Sequence, residues 1–157
     1  NFKKMPFFVI LIFFFLHNNA HAETCKWWFQ RYGWEKFSVT EVENCLKMGS
    51  PVEADVAGGE GPLHIAAEVN KDPEVLLRLI RAGAKINGKT EKGWTPLHSA
   101  ARFNPNPEVL LTLIDAGADM NAKTNSGKTF IFWMERNSKL KDTVGYLKLL
   151  NMFDLNQ

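Results

Sequence analysis

Residues 95–101 read TPLHSAA, and GPLHIAA stands 34 positions earlier, at residues 61–67. The same offset relates PEVLLRLIRAGAKIN at 73–87 to PEVLLTLIDAGADMN at 107–121. A fixed period of this length is typical of proteins whose structural units stack on one another and share a continuous core. The sequence therefore predicts a stacked repeat architecture.

Each copy carries the start and stop signals of two helices. Thr95 is a good N-cap, and Pro96 suits the first helical position, where its missing N–H is no loss. A second helix begins after Asp72 in one copy and after Asn106 in the other, each followed by Pro-Glu. Gly83 and its counterpart 34 residues later stand where a left-handed helix end is wanted. The unit is thus a pair of helices, with turn-forming segments between units.

These residues resemble the ankyrin-repeat family. The T-P-L-H-x-A pattern is complete at residues 95–100 and has Gly61 in place of threonine at 61–66. The resemblance implies an all-α solenoid of helix-turn-helix units with hairpin-like fingers, in which two regular repeats lie between divergent caps. The predicted divisions are a signal peptide at 1–22, an N-terminal capping repeat at 23–55, ankyrin repeats at 56–89 and 90–123, and a C-terminal capping repeat at 124–157.

The repeated histidines argue against a catalytic site. His64 and His98 occupy the same place in the two copies, and a catalytic residue has no reason to be duplicated with its surroundings. The resemblance implies that this histidine and the threonine before it tie the loop to the helix start. We expect no enzymatic activity, no cofactor and no metal site; a hydrolase that uses His98 is the alternative. The predicted structural motif is Pro62, Leu63, His64, Thr95, Pro96, Leu97 and His98.

The N-terminus has the layout of a secretory signal peptide. Lys3 and Lys4 form a short basic end, residues 7–16 are all apolar, and Ala-His-Ala follows at 20–22. Ten apolar residues are too few for a membrane-spanning helix, which needs about 20. We therefore expect export and cleavage after Ala22. The alternative is an uncleaved segment that anchors an ankyrin scaffold in the membrane, which would be the protein's only contact with a membrane.

Removal of residues 1–22 leaves a neutral chain. The whole sequence has 19 Lys and Arg against 17 Asp and Glu, and only Lys3 and Lys4 leave with the signal. No basic patch then argues for nucleic acid. Cys25 and Cys45 remain in the exported part, where an oxidising compartment favours a disulfide. We expect that bond to fasten the N-terminal cap.

The aromatic residues at the N-terminus form a further feature of the predicted cap. They are Trp27, Trp28, Phe29, Tyr32, Trp34 and Phe37. A capping core is the favoured interpretation, and a ligand site is the alternative. Because Trp27 and Trp28 are adjacent, one helix face cannot bury both, and one of them is expected to be exposed.

The family resemblance implies that a protein partner binds on the fingers and on the inner face of the first helices. Among these positions, Trp94 and Phe103 are expected to face solvent near an arginine, as in a binding hot spot. The alternative for Trp94 is a ring lying flat on the neighbouring finger. The full predicted set is Glu60, Glu68, Val69, Lys89, Glu91, Lys92, Trp94, Arg102, Phe103, Lys123, Asn125, Ser126, Lys128, Arg136 and Asn137.

The expected function is that of an exported, non-enzymatic protein that binds another protein. The short signal and the small size suggest a bacterial protein that is periplasmic or secreted. Similarity to exported bacterial ankyrin proteins suggests two roles, the support of an envelope enzyme such as a catalase and the neutralisation of a toxin. The sequence does not choose between them.

We predict that the exported protein begins at Glu23, because the A-x-A pattern ends at Ala22. Intact-mass spectrometry of protein recovered from the exporting cell tests this. A mature species that retains Phe7–Leu16 would support the membrane-anchored alternative instead.

Overall fold

The structure is a computed structural model that describes Cys25, Trp28 and residues 31–53 and 58–154. Its helices are α1 (Arg31–Trp34), α2 (Val39–Lys47), α3 (Pro62–Val69), α4 (Pro73–Arg81), α5 (Pro96–Phe103), α6 (Pro107–Asp115), α7 (Phe130–Met134), α8 (Ser138–Lys141) and α9 (Val144–Asp154). This part of the chain contains no strand, so the predicted all-α class is confirmed. The predicted signal peptide lies outside the described residues.

The helices form two layers. The first helices of the units, α1, α3, α5 and α7, pack on one another in chain order, and α2, α4, α6 and α9 form the second layer. Ala66, Ala67, Ala100 and Ala101 are fully buried, and their small side chains let α3 and α5 lie close together. None of the described helices is long and apolar enough to cross a membrane.

Local signals define the helix boundaries as the sequence predicts. Pro62 and Pro96 are the first residues of α3 and α5. The side chain of Asp72 accepts a hydrogen bond from the N–H of Glu74 at 3.0 Å and so caps α4. Gly83 ends the same helix with a φ of 103°, and a side chain there would be strained.

A ladder of buried asparagines joins successive units. The side-chain amide of Asn104 donates to the carbonyls of Ala67 and Asn70, at 2.9 and 2.7 Å. Asn137 donates in the same way to Ala101 and Asn104, at 3.1 and 2.8 Å. Each asparagine thus satisfies one carbonyl in the last turn of the preceding first helix and another in the loop after it. Backbone carbonyls of one unit are thus hydrogen-bonded by a side chain of the next unit.

The ladder begins in the N-terminal cap, where Asn70 donates to the carbonyls of Trp34 and Phe37 at 2.6 and 2.8 Å. It also corrects one prediction. Asn137 was placed on the exposed binding face, but only 4% of it is exposed. The cap is one residue shorter than a regular repeat at this point, so Asn137 takes the position of Asn104 rather than that of Phe103.

The N-terminal cap has the predicted disulfide and an aromatic core. Cys25 and Cys45 are bonded, with their Cα atoms 5.4 Å apart. The bond joins residues 20 positions apart in the sequence, and closing a loop of that length contributes about 3 kcal/mol to stability in the chain-entropy model. Trp28, Trp34 and Phe37 are buried and pack with ring centroids 4.8–6.4 Å apart. A capping core is therefore the correct interpretation for these three rings. Trp27 and Phe29 lie outside the described residues, as does the side chain of Tyr32.

The C-terminal cap is less regular. Helix α7 has five residues where α5 has eight, and two helices, α8 and α9, follow it. Gly145 lies directly against the ring of Pro107, which holds the start of α9 beside α6. The outer side of α9 leaves Val144 and Leu147 85% and 59% exposed.

We predict that Asn104→Ala lowers the free energy of unfolding by about 3 kcal/mol, because the change leaves two buried carbonyls and the N–H of Asn106 without their partner. Urea denaturation measures the loss. Asn121→Ala is the control: Asn121 is exposed, so the change should alter stability by about 0.5 kcal/mol or less. Equal stabilities for the two variants would contradict a structural role for the ladder.

Candidate protein-binding face

The histidine of the second regular repeat links the start of its helix to the next finger. The backbone N–H of Thr95 donates to His98 Nδ1 at 3.2 Å, and the Thr95 hydroxyl lies 2.8 Å from the same nitrogen. Because Nδ1 accepts, the proton of the neutral ring is on Nε2, which donates to the carbonyl of Lys128 at 3.1 Å. His98 is 1% exposed, and both of its nitrogens have partners.

His64 makes the equivalent contacts one repeat earlier. Its Nδ1 accepts from the N–H of Gly61 at 3.3 Å, and Nε2 lies 3.0 Å from the Gly88 carbonyl and 3.2 Å from the Trp94 carbonyl. Burial lowers the pKa of both His64 and His98, although the carbonyls at Nε2 oppose that shift. The described residues contain no group of three His, Cys, Asp or Glu side chains arranged to hold a metal ion.

The fingers are fixed to one another by backbone hydrogen bonds. In the finger before α5, the N–H of Thr90 donates to the carbonyl of Trp94 at 2.9 Å, and Gly93 closes the turn. The following finger repeats this between Thr124 and Lys128 at 3.0 Å. The N–H of Asn125 then donates to the carbonyl of Lys92 at 3.0 Å, which joins the two fingers. Side chains on this edge therefore project from a rigid backbone.

Four aromatic side chains form a cluster where the fingers meet the first helices. It consists of Trp94, Phe103, Phe132 and Trp133, and we call it the aromatic cluster. Trp94 lies 4.7 Å from Trp133 and 6.1 Å from Phe103 between ring centroids, and Phe132 meets Trp133 edge to face at 5.0 Å. Phe103 remains 44% exposed. The indole N–H of Trp133 is buried and has no acceptor among the described residues.

Three cations border this cluster. The Arg136 guanidinium lies 3.6 Å and the Lys128 ammonium 4.6 Å from the centroid of Phe132. The Arg102 guanidinium lies 5.5 Å from Phe103 and also faces Trp133. Arg102 donates to the carbonyl of Arg136 at 3.3 Å, which connects α5 to the end of α7. Cations over aromatic faces at these distances are attracted to the rings.

The N-terminal end of the same face is acidic. Arg31 forms ion pairs with Glu60 at 3.2 Å and with Glu68 at 3.0 Å. Burial raises the pKa of Glu68, and Arg31 acts in the opposite direction. This ion-pair network lines one side of a cleft of about 250 Å³ that is also lined by Lys92, Trp94 and Phe103.

Besides Asn137, the structure corrects the exposure expected at three of the predicted binding positions. Glu68 is only 9% exposed, because it lies against Arg31. Val69 packs on the core at the end of α3. Trp94 is partly buried rather than free in solvent, and its ring packs on Trp133 of α7.

The other predicted positions lie on the surface to different degrees. Arg102 and Glu60 are partly buried. The exposed members of the set are Lys89, Glu91, Lys92, Phe103, Lys123, Asn125, Ser126, Lys128 and Arg136. Whether they contact a partner stays a prediction.

Phe132 and Trp133 also belong to this face, although they are not among the positions predicted from the sequence. The repeat period of 34 would have pointed to both residues. Phe132 lies 34 residues after His98 and Trp133 lies 34 after Ser99, so two large aromatics replace a buried polar pair. Such a replacement on the inner side of the last unit is the sequence pattern that would have identified the cluster.

Comparison with protein families agrees with this architecture. The family model for ankyrin repeats (3 copies) matches residues 14–124 and 63–154. The two matches together extend over most of the chain, which belongs to the ankyrin-repeat family. No curated protein matches the sequence significantly. Proteins of this family are typically binding modules without enzymatic activity.

We predict that acidification destabilises the protein through His64 and His98. Their pKa values in the folded chain lie below the ordinary value of 6.5. Below that pH the unfolded chain binds more protons than the folded chain, so stability falls as the pH drops toward the folded pKa values. His98→Gln should lose about 1–3 kcal/mol at about pH 7.5 and should also have a shallower pH dependence.

Urea denaturation at about pH 7.5 and about pH 5.5 tests both parts. Glu68, whose pKa is raised, changes the pH dependence of stability in the opposite direction, but it does so in both proteins. The difference between the His98→Gln protein and the unmodified chain therefore reports on His98. A His98→Gln protein with unchanged stability but abolished function would instead support the hydrolase alternative.

Proposed function

We propose that this chain is a non-enzymatic binding module that holds a protein partner on the aromatic cluster and the adjoining fingers. Ankyrin repeats in general mediate protein–protein interactions. The observation that carries the proposal is the position of Phe103, which is 44% exposed yet stacks on Trp94 with an angle of 23° between the rings. An exposed aromatic ring that is already held in place, with arginines beside it, has the composition of an interface hot spot.

Preorganisation supports the same proposal. The carbonyl of Trp94 accepts from Thr90 and lies near His64 Nε2, so its backbone is fixed from two sides. Trp133 fixes its ring from a third direction. Ordering flexible side chains on binding costs about 0.5–1.5 kcal/mol each, and a surface that is already ordered avoids much of that cost.

Export is the second part of the proposal. The N-terminal sequence pattern supports it, and so does the Cys25–Cys45 disulfide, because such bonds persist mainly in oxidising compartments. We place the protein in the periplasm or outside the cell, where it would support an envelope enzyme or neutralise a toxin. The alternative is a scaffold that keeps residues 1–22 as a membrane anchor.

We predict that Phe103→Ala abolishes capture of the partner while the fold is retained, because the ring contributes contact area rather than core packing. The experiment immobilises the oxidised chain, exposes it to an envelope fraction of the source cell and compares the retained proteins by mass spectrometry. Met48→Ala is the matched control, since Met48 is 49% exposed and lies at the end of α2, away from the cluster.

A protein retained by the unmodified chain and by Met48→Ala, but not by Phe103→Ala, supports the proposed face. Retention by all three would place the interaction elsewhere. Thermal melts of both variants exclude unfolding as the cause.

A further inference from the structure

We infer that the partner presents an acidic segment, in which carboxylates flank an apolar side chain, to the α5–α7 end of this face. This inference rests on the proposed function and adds the chemistry of the partner. It depends on the charges around the aromatic cluster rather than on the cluster alone.

The two arginines at the cluster, Arg102 and Arg136, differ from the other described arginines in lacking carboxylate partners. Arg31, Arg78, Arg81 and Lys85 each lie within 4.0 Å of a glutamate. Among the described residues, no carboxylate comes that close to the trio Arg102, Lys128 and Arg136. Glu91, on the finger before α5, and Glu135, next to Arg136 in the sequence, do not form ion pairs with the trio. Three positive charges thus meet at one place in a chain that is close to neutral overall.

The contacts of the two arginines leave their charges available. Arg136 donates one Nη1 hydrogen bond, at 2.8 Å, to the carbonyl of Phe132, and Arg102 donates one to the carbonyl of Arg136. A guanidinium has five N–H donors, so most remain free for an acceptor from outside. Stacking on an aromatic face restricts the guanidinium while its edge stays able to bind a carboxylate through two hydrogen bonds.

The arrangement of cations and rings specifies the ligand further. Arg136 and Lys128 lie over Phe132, while Arg102 lies between Phe103 and Trp133. The exposed ring of Phe103 is therefore next to positive charge, and Lys92 on the adjoining finger is also exposed. A segment that fits this surface places an apolar side chain on the rings and carboxylates at the cations. An unmixed run of acids would leave the aromatic area uncovered.

The acidic residues at the opposite end of the face restrict where the carboxylates of this segment can lie. Two carboxylates, Glu60 and Glu68, lie there beside Arg31, so a carboxylate of the partner would meet negative side chains at that end. Like charges placed together oppose binding, so the carboxylates of the partner are directed toward α7 rather than toward α1. The face is thereby polarised along the stack, and this polarity fixes the direction in which a charged segment lies.

The test selects peptides without assuming a sequence. A random 12-residue peptide library displayed on phage is panned on the immobilised, oxidised full chain, and the affinities of enriched peptides are then measured by fluorescence polarisation. The test variant is Arg102→Gln combined with Arg136→Gln. Its matched control is Arg78→Gln combined with Arg81→Gln, which removes two arginines from α4, and Phe103→Ala reports on the aromatic cluster.

We expect enriched peptides to carry Asp or Glu beside an apolar residue. They should bind the test variant about 10-fold more weakly or worse, and the control variant with unchanged affinity. Their affinity for the unmodified chain should fall as salt is added. Thermal melts of the variants confirm that each remains folded.

The other outcomes separate the two proposals. Enriched peptides that are neutral or basic, or that depend on Phe103 but not on the two arginines, overturn the acidic segment and leave the binding face intact. Peptides that depend on neither overturn the acidic segment at this face. Failure to enrich any peptide overturns the inference of a linear acidic segment, while the capture experiment still decides the proposed function.

Discussion

Each unit of this stack depends on side chains that are not its own. Carbonyls in the last turn of α3 and just after it accept the amide of Asn104, and the equivalent carbonyls of α5 accept the amide of Asn137. Buried carbonyls without partners are costly, so neither unit is complete until the next one is in place. These short polar contacts and the buried alanines of α3 and α5 both hold neighbouring units close together.

The same contacts create the surface on which binding is proposed. His64 and His98 reach from the helix starts to the fingers that follow, and those fingers carry Trp94 and Lys128. The aromatic cluster therefore lies on three pieces of chain, namely a finger, α5 and α7, that the polar framework keeps in register. A residue such as His98 supports the surface while having no atom available to a ligand, which explains why a histidine beside a threonine and a serine resembles a catalytic group in the sequence.

The regular part of the fold could be read from the sequence because its signals are local. Proline after a cap, glycine after an apolar stripe and a period of 34 determine the boundaries of α3 to α6 without knowledge of tertiary contacts. The asparagine ladder could not be read in this way. Asn70 and Asn104 look like ordinary loop residues, and their partners lie 33–37 positions earlier in the chain.

The errors at the candidate site have the same origin. Glu68 is buried because Arg31 reaches it from the N-terminal cap, and Trp94 is covered because Trp133 stands one unit later. Asn137 was misplaced because the cap is one residue short, a shift that an assumed constant period cannot detect. Position within a repeat predicts backbone conformation well, but the exposure of a side chain depends on its neighbours in adjoining units, and here those are the divergent caps.

The two ends of the stack are stabilised by different kinds of interaction. A covalent bond between Cys25 and Cys45 closes the first unit, whereas the last unit has a short α7 and a terminal helix with exposed Val144 and Leu147. A chain of units coupled only to their neighbours loses structure most readily from its weaker end. Unfolding by force or heat should therefore begin at α9 and proceed toward the N-terminal unit. The part of the aromatic cluster on α7 should unfold while the disulfide-closed unit is still folded.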